Sequence, residues 1–129
     1  MEYKIHESNL EKYIEMNGKR NSKNPICKGL KENTARYYII EENGEFFDDF
    51  AIYLDEDNMI SIDQRYFFKD DLMEELVKFL KLEYKSIKLF VDLEKIHLLE
   101  VIKKRFENIE IETVVRYGYD FNRVTIMTF

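Results

Sequence analysis

Residues 69–106 read KDDLMEELVKFLKLEYKSIKLFVDLEKIHLLEVIKKRF, and the period of their apolar positions changes twice. Leu72, Leu76, Phe79 and Leu80 recur at helical spacing, with Asp70 and Asp71 at the start, where negative charge favours the helix dipole. This predicts a helix from Lys69 to Leu82. Ile87 to Val91 is a short run, apolar except for Lys88, of the kind that suits a buried strand. Ile96, Leu99, Ile102 and Phe106 then return to the helical period. With a strand ahead of it, the stretch makes a β-α-β-α unit.

Upstream, the period is that of strands. Ala35 to Glu41 is β-rich, Asn43-Gly44 is a hairpin signal, and a second run extends from Glu45 to Leu54. The acidic turn Asp55-Glu56-Asp57-Asn58 leads to a third strand, Met59 to Asp63, where apolar and polar residues alternate. At the N-terminus, Tyr3 and Ile5 mark a short strand. Ser8 with Glu11 forms a capping box for a helix carrying Leu10, Tyr13 and Ile14, which Gly18 stops. Lys19 to Asn24 is wholly polar, and Pro25 precedes one or two helical turns with Ile26, Cys27 and Leu30. Downstream, Ile109 to Tyr117 and Arg123 to Phe129 are two strands joined by a turn around Gly118 and Asp120. The predicted order is β-α-α-β-β-β-α-β-α-β-β: one α+β domain over residues 1–129, with a mixed, mostly antiparallel sheet flanked by helices.

Composition bounds the function. With 45% hydrophobic residues, ten Phe, nine Tyr, one Pro and four Gly, the chain has core material and few breakers, which excludes disorder. A net charge of -6 argues against a nucleic-acid surface, since phosphate neutralisation needs clustered Lys and Arg. Cys27, the single cysteine, cannot form an internal disulfide, no apolar run approaches the roughly 20 residues of a membrane span, and Met1 to Asn9 has no signal-peptide core. The expected setting is the cytoplasm, without membrane or nucleic acid. His6 and His97 lie far apart, and the acidic turn lacks calcium-loop spacing, so no metal is expected.

The element order resembles that of the GCN5-related N-acetyltransferase (GNAT) superfamily. From Val91 to Phe106 the family pattern is a strand valine, an Asn four residues on, apolar positions, Leu-Tyr, Lys and Gly-Phe. Val91, Leu98, Leu99, Val101 and Lys104 match; Lys95 replaces the Asn, Ile102 the Tyr, and Phe106 stands for the Gly-Phe pair. The family also holds the acetyl-CoA diphosphate with a glycine-rich loop at a helix start. Asp63 to Met73 contains no glycine: Asp71 and Met73 take the glycine positions and Phe68 the Gln or Arg position.

The resemblance implies an acetyl-CoA-dependent N-acetyltransferase of a small-molecule or peptide amine. It implies Asp63 as base, with Tyr117 or Tyr119 replacing the lost acid, and cofactor contacts from Ile60, Ile62, Arg65, Lys69 and Lys95. It also suggests that the basic loop Lys19, Arg20 and Lys23 shapes the acceptor site. Each residue has an ordinary reading beside this one: Asp63 as a solvated strand end, Arg65 and Lys69 as surface charges, and the tyrosines as packing; Asp70 and Asp71, which the resemblance places in the anion site as its own filling, read equally as ordinary helix-start caps. A non-catalytic module that binds a protein or small ligand is the alternative.

Overall fold

The computed structural model describes residues 2–18 and 24–128, so the Lys19, Arg20 and Lys23 loop and Phe129 lie outside the described residues. Its architecture is α+β, in the order read from the sequence. Backbone contacts divide it into two compact units, Met1–Ile62 and Asp63–Phe129.

The first unit carries strands β1 (Tyr3–Ser8), β2 (Ala35–Glu42), β3 (Glu45–Tyr53) and β4 (Met59–Ser61), and helices α1 (Leu10–Asn17) and α2 (Pro25–Glu32). The strands lie in the order β1-β2-β3-β4, each pair antiparallel. Between β2 and β3 the register slips: Ile40 faces Asp48 while Glu41 faces Phe46, which leaves Phe47 as a bulge. Tyr13, Cys27, Tyr37 and Ile39 form a buried cluster, closed by Leu10, Ile14, Ile26 and Leu30 from the two helices. Sequence periodicity placed these residues on one face of each helix, and burying such a side chain contributes about 1.5–3 kcal/mol.

Both helices start on asparagine. Asn9 accepts from the Lys12 N–H at 2.9 Å and Asn24 from the Cys27 N–H at 2.9 Å. The expected Ser8 capping box is therefore corrected: Ser8 is the last residue of β1, paired with Tyr37, and the helix begins one residue later, where the Asn9 side chain takes the cap. β4 is likewise shorter than expected. It stops at Ser61, and Asp63 instead caps a 3-10 turn, Gln64–Phe68. The acidic turn is a 3-10 turn, Leu54–Glu56, followed by Asp57 and Asn58 in the left-handed region.

The second unit adds α3 (Asp70–Glu83), β5 (Ser86–Asp92), α4 (Ile96–Arg105), β6 (Asn108–Arg116) and β7 (Tyr119–Met127). Its strands run β5-β7-β6, all antiparallel. Ile87, Leu89, Val91, Val124 and Ile126 are buried, as are Leu72, Met73, Leu76 and Leu80 on α3 and Leu98 and Ile102 on α4. Along β5 only alternate side chains are buried, and Lys88 and Phe90 on the other face are half-exposed, so β5 is not the fully buried strand its composition suggested. The last turn also differs from expectation. β7 begins at Tyr119, because Tyr117 and Gly118 both take positive φ (53° and 79°) and close a two-residue turn directly onto the Arg116–Tyr119 pair.

Two substitutions test these backbone features. A Cβ on Gly29 of α2 would lie 2.5 Å from the Ala35 Cβ at the start of β2. Gly29→Ala is expected to destabilise by about 1–3 kcal/mol in denaturant melts, the usual cost of overpacking. Tyr117, a bulky residue at φ 53°, sits where asparagine is tolerated far better. Tyr117→Asn is expected to stabilise by about 0.5–1 kcal/mol, and a loss of stability would show that the tyrosine ring contributes more than the turn geometry costs.

Candidate functional site

The segment from Asp63 to Asp70 turns the chain into α3, and its polar groups are mostly spent inside the turn. Asp63 Oδ1 accepts from the Arg65 N–H at 3.0 Å, and the Arg65 guanidinium grips the same carboxylate through Nε (3.0 Å to each oxygen) and Nη2 (2.5 Å to Oδ2). The side-chain hydrogen bond from Arg65 is the main reason that the Asp63 carboxyl is held below the usual carboxylate range. The Tyr66 N–H donates to the Asp63 carbonyl (3.0 Å) and the Lys69 N–H to that of Tyr66 (2.9 Å). Gln64 Nε2 donates to the Phe90 carbonyl at 2.8 Å and ties the turn to β5.

Arg105, the last residue of α4, closes the segment from the other side. Its Nε donates to the Phe67 carbonyl at 2.5 Å and its Nη2 to Asp70 Oδ1 at 2.6 Å. The arginine side chain is 21% exposed and the Asp70 side chain 88%. Basic residues at the end of α4 (Lys103, Lys104, Arg105) and acidic ones at the start of α3 (Asp70, Asp71) each complement their own helix dipole. The sequence offered no signal for Arg105, because its partners lie 38 and 35 positions away.

The other predicted site residues fall elsewhere. Tyr117 and Tyr119 stand in solvent at the β6–β7 turn, where the Arg116 guanidinium lies 5.1 Å from the Tyr117 ring centre. Lys95 stands at the N-terminal boundary of α4 without a side-chain cap, and its ammonium reaches back toward Asp92 at 3.8 Å. Ile60 of β4 is buried and paired with Ile52, so it can offer a ligand only its backbone, while Ile62 follows β4 half-exposed.

The first unit holds a polar cluster that the sequence reading did not single out. Tyr37 Oη donates to Asp49 Oδ2 at 2.6 Å, Asn17 Nδ2 reaches the same oxygen at 3.5 Å, and Asn24 Nδ2 donates to the Tyr13 hydroxyl. Burial first, and then the Asp49 carboxylate, push the Tyr37 hydroxyl well above the ordinary tyrosine range, so Tyr37 stays a proton donor to Asp49 at any physiological pH. A paired acid between aromatics in Phe46-Phe47-Asp48-Asp49-Phe50 was the available cue.

Solved N-acetyltransferases share this architecture. A chimera of the Vibrio cholerae spermidine N-acetyltransferase SpeG and hSSAT matches 99% of this chain and 96% of its own, with a TM-score of 0.62 at 12% identity. Its fold is that of the GNAT N-acetyltransferases. The aminoglycoside N-acetyltransferase AAC(6')-Ib11 matches 98% of this chain and 97% of its own (TM-score 0.57, 11% identity). A Bacillus subtilis acetyltransferase in complex with CoA matches 98% and 99% (TM-score 0.52, 16% identity). No protein-family model and no curated protein matches the sequence.

The GNAT fold implies acetyl-CoA, with its diphosphate at the start of α3. The residues there do not form the expected cradle. No glycine occurs between Gly44 and Gly118, the N–H groups of Arg65, Tyr66 and Lys69 are bonded within the turn, and Asp70 engages Arg105. A carboxylate and a phosphate about 4 Å apart repel by roughly 4 kcal/mol at surface-like dielectric, before screening. Among the described residues, no group of three or more His, Cys, Asp or Glu could hold a metal ion, and no helix is long and apolar enough to cross a membrane.

The Asp63–Arg65 pair has a measurable pH signature. The folded-state pKa of Asp63 is lowered, so the pair stabilises the protein above the unfolded aspartate value, and that stabilisation is lost as pH falls through the lower folded value. Arg65→Gln is expected to cost less than about 1 kcal/mol at neutral pH, since the pair faces solvent. Parent and variant should converge in acid; a difference that persists there would mean that Arg65 acts through something other than the carboxylate.

Proposed function

We propose that this chain is an acetyl-CoA-dependent N-acetyltransferase of a small amine, working as one domain over residues 1–129 and binding its cofactor weakly. The observation that carries the reading is the match of solved N-acetyltransferases to nearly the whole chain, one of them in complex with CoA. The acceptor class follows from the same likeness, since spermidine and aminoglycosides are amines, and a net charge of -6 attracts a cationic acceptor. Asp63, ionised at neutral pH, is assigned to accept the proton of the amine, at some cost in basicity from Arg65. Tyr117 and Tyr119 are assigned as candidate proton donors, Arg65, Lys69 and Lys95 as cations for the cofactor, and Ile60 and Ile62 as backbone contacts. A peptide amine is the other acceptor to be tested.

The closed start of α3 favours a second reading, in which the fold serves as a non-catalytic module for a protein or small ligand. Calorimetry and turnover separate the two. The first reading expects acetyl-CoA to bind with a Kd of about 0.1 mM or weaker. Asp70→Asn should tighten that binding about tenfold by freeing Arg105 and removing one negative charge. With amines, polyamines and lysine peptides as acceptors, acetyl transfer should be detectable, and Asp63→Asn should lower kcat at least about 100-fold. Absence of both binding and transfer in the parent protein leaves the module reading in place, and full activity in Asp63→Asn removes that residue from the site.

A further inference from the structure

β6 is a long, regular edge strand whose charged residues, Glu110, Glu112 and Arg116, all lie on one face. It ends the order β5-β7-β6 and, among the described residues, pairs with β7 alone, in an unbroken register from Arg116↔Tyr119 to Asn108↔Met127. Exposed edges are normally blunted by charged side chains, above all Lys, by Pro, by bulges or by short length. The nine residues NIEIETVVR contain neither Pro nor Lys, and no bulge interrupts them.

The turn fixes which backbone groups are open. In a two-residue hairpin the closing pair, here Arg116 and Tyr119, exchanges hydrogen bonds, and bonded and non-bonded pairs alternate from there. Residues 116, 114, 112 and 110 therefore spend their N–H and C=O groups on β7. Those of Ile109, Ile111, Thr113 and Val115 point away from it. The side chains of these four residues share one face, where Ile111 is 37% and Val115 72% exposed.

We propose that this edge binds a second copy of the chain, β6 against β6, antiparallel about a twofold axis at Thr113. The strand is self-complementary in that register. Ile111 falls opposite Val115 twice on one face, Glu110 opposite Arg116 twice on the other, and Thr113 meets its own copy at the axis. The outward-facing odd residues form the hydrogen-bonded pairs. Arg116 is held on the charged face by Phe90, whose ring centre lies 4.3 Å below its guanidinium. Neighbouring registers are poorer: centring on Glu112 puts two carboxylates face to face, and centring on Val114 runs Glu110 into Gly118 of the turn. A shared edge with one strand sequence is the isologous contact that a closed dimer requires.

Sedimentation of the full chain from about 1 to 100 µM tests the proposal, with a dimer of micromolar Kd expected. Val115→Lys, at an exposed position, should lower the association constant about 100-fold by putting an ammonium group opposite the apolar Ile111 in both symmetry-related pairs, with an unchanged thermal melt at a concentration where the parent is monomeric. Thr113→Cys gives an independent readout. Hydrogen-bonded pairs have Cα atoms about 5.5 Å apart, within disulfide range, so mild oxidation should yield a covalent dimer, whereas Glu110→Cys should not cross-link. The native Cys27 is buried and stays silent. A monomer over the whole range, a dimer insensitive to Val115→Lys, equal cross-linking of the two cysteine variants, or a different protein bound to β6 while the chain itself stays monomeric would each overturn the proposal.

Discussion

Arg105 stands at the end of α4 and holds the start of α3. Its guanidinium has two roles: Nε satisfies the Phe67 carbonyl at the end of a 3-10 turn, and Nη2 meets the Asp70 carboxylate. An unsatisfied carbonyl in such a half-buried place costs about 1–3 kcal/mol, and a charged donor is the stronger remedy. The same contact decides the electrostatics of the helix start. A helix terminus, whose dipole favours an anion, is here supplied with carboxylates from its own first turn, one of them paired with a cation from the neighbouring helix.

That arrangement gives the α3 start a different chemistry from the glycine cradle the fold leads one to expect. Glycine allows close backbone approach; Asp70 and Asp71 bring charge of the wrong sign for a diphosphate, and Met73, at the second glycine position, is buried in the core. The ion pair that ties the start of α3 to the end of α4 therefore also places negative charge where that cradle would stand. Of the two partners, Asp70 is the exposed one and Arg105 the more buried.

The first unit is organised by a different constraint, the satisfaction of polar groups beneath α1 and α2. Tyr37 lies in the apolar cluster yet directs its hydroxyl to Asp49, and the Tyr13 hydroxyl is met by Asn24, the residue that also caps α2. Helix placement and polar satisfaction are thus coupled through one asparagine. In the second unit the open edge of β6 is the corresponding unfinished element, with apolar side chains and outward backbone groups in one row.

Periodicity and turn chemistry determined the element order, the helix faces and the Asn43-Gly44 hairpin, because those signals are local: Leu72, Leu76 and Leu80 must share a face whatever surrounds them. Local signals misplace several joints, and they overstate the burial of β5. Sequence pattern points to Ser8 as the cap that Asn9 supplies, to Asp63 as the end of a strand that stops at Ser61, and to Arg123 as the start of a strand that begins at Tyr119. The sequence also showed that the α3 start lacks glycine and carries two aspartates. It could not show that Arg105 binds Asp70, that Arg65 holds Asp63, or that Tyr37 meets Asp49 across β2 and β3. Those pairings join residues on different elements or across a turn, and their geometry exists only once packing has fixed where each backbone lies, so the tertiary structure alone decided them.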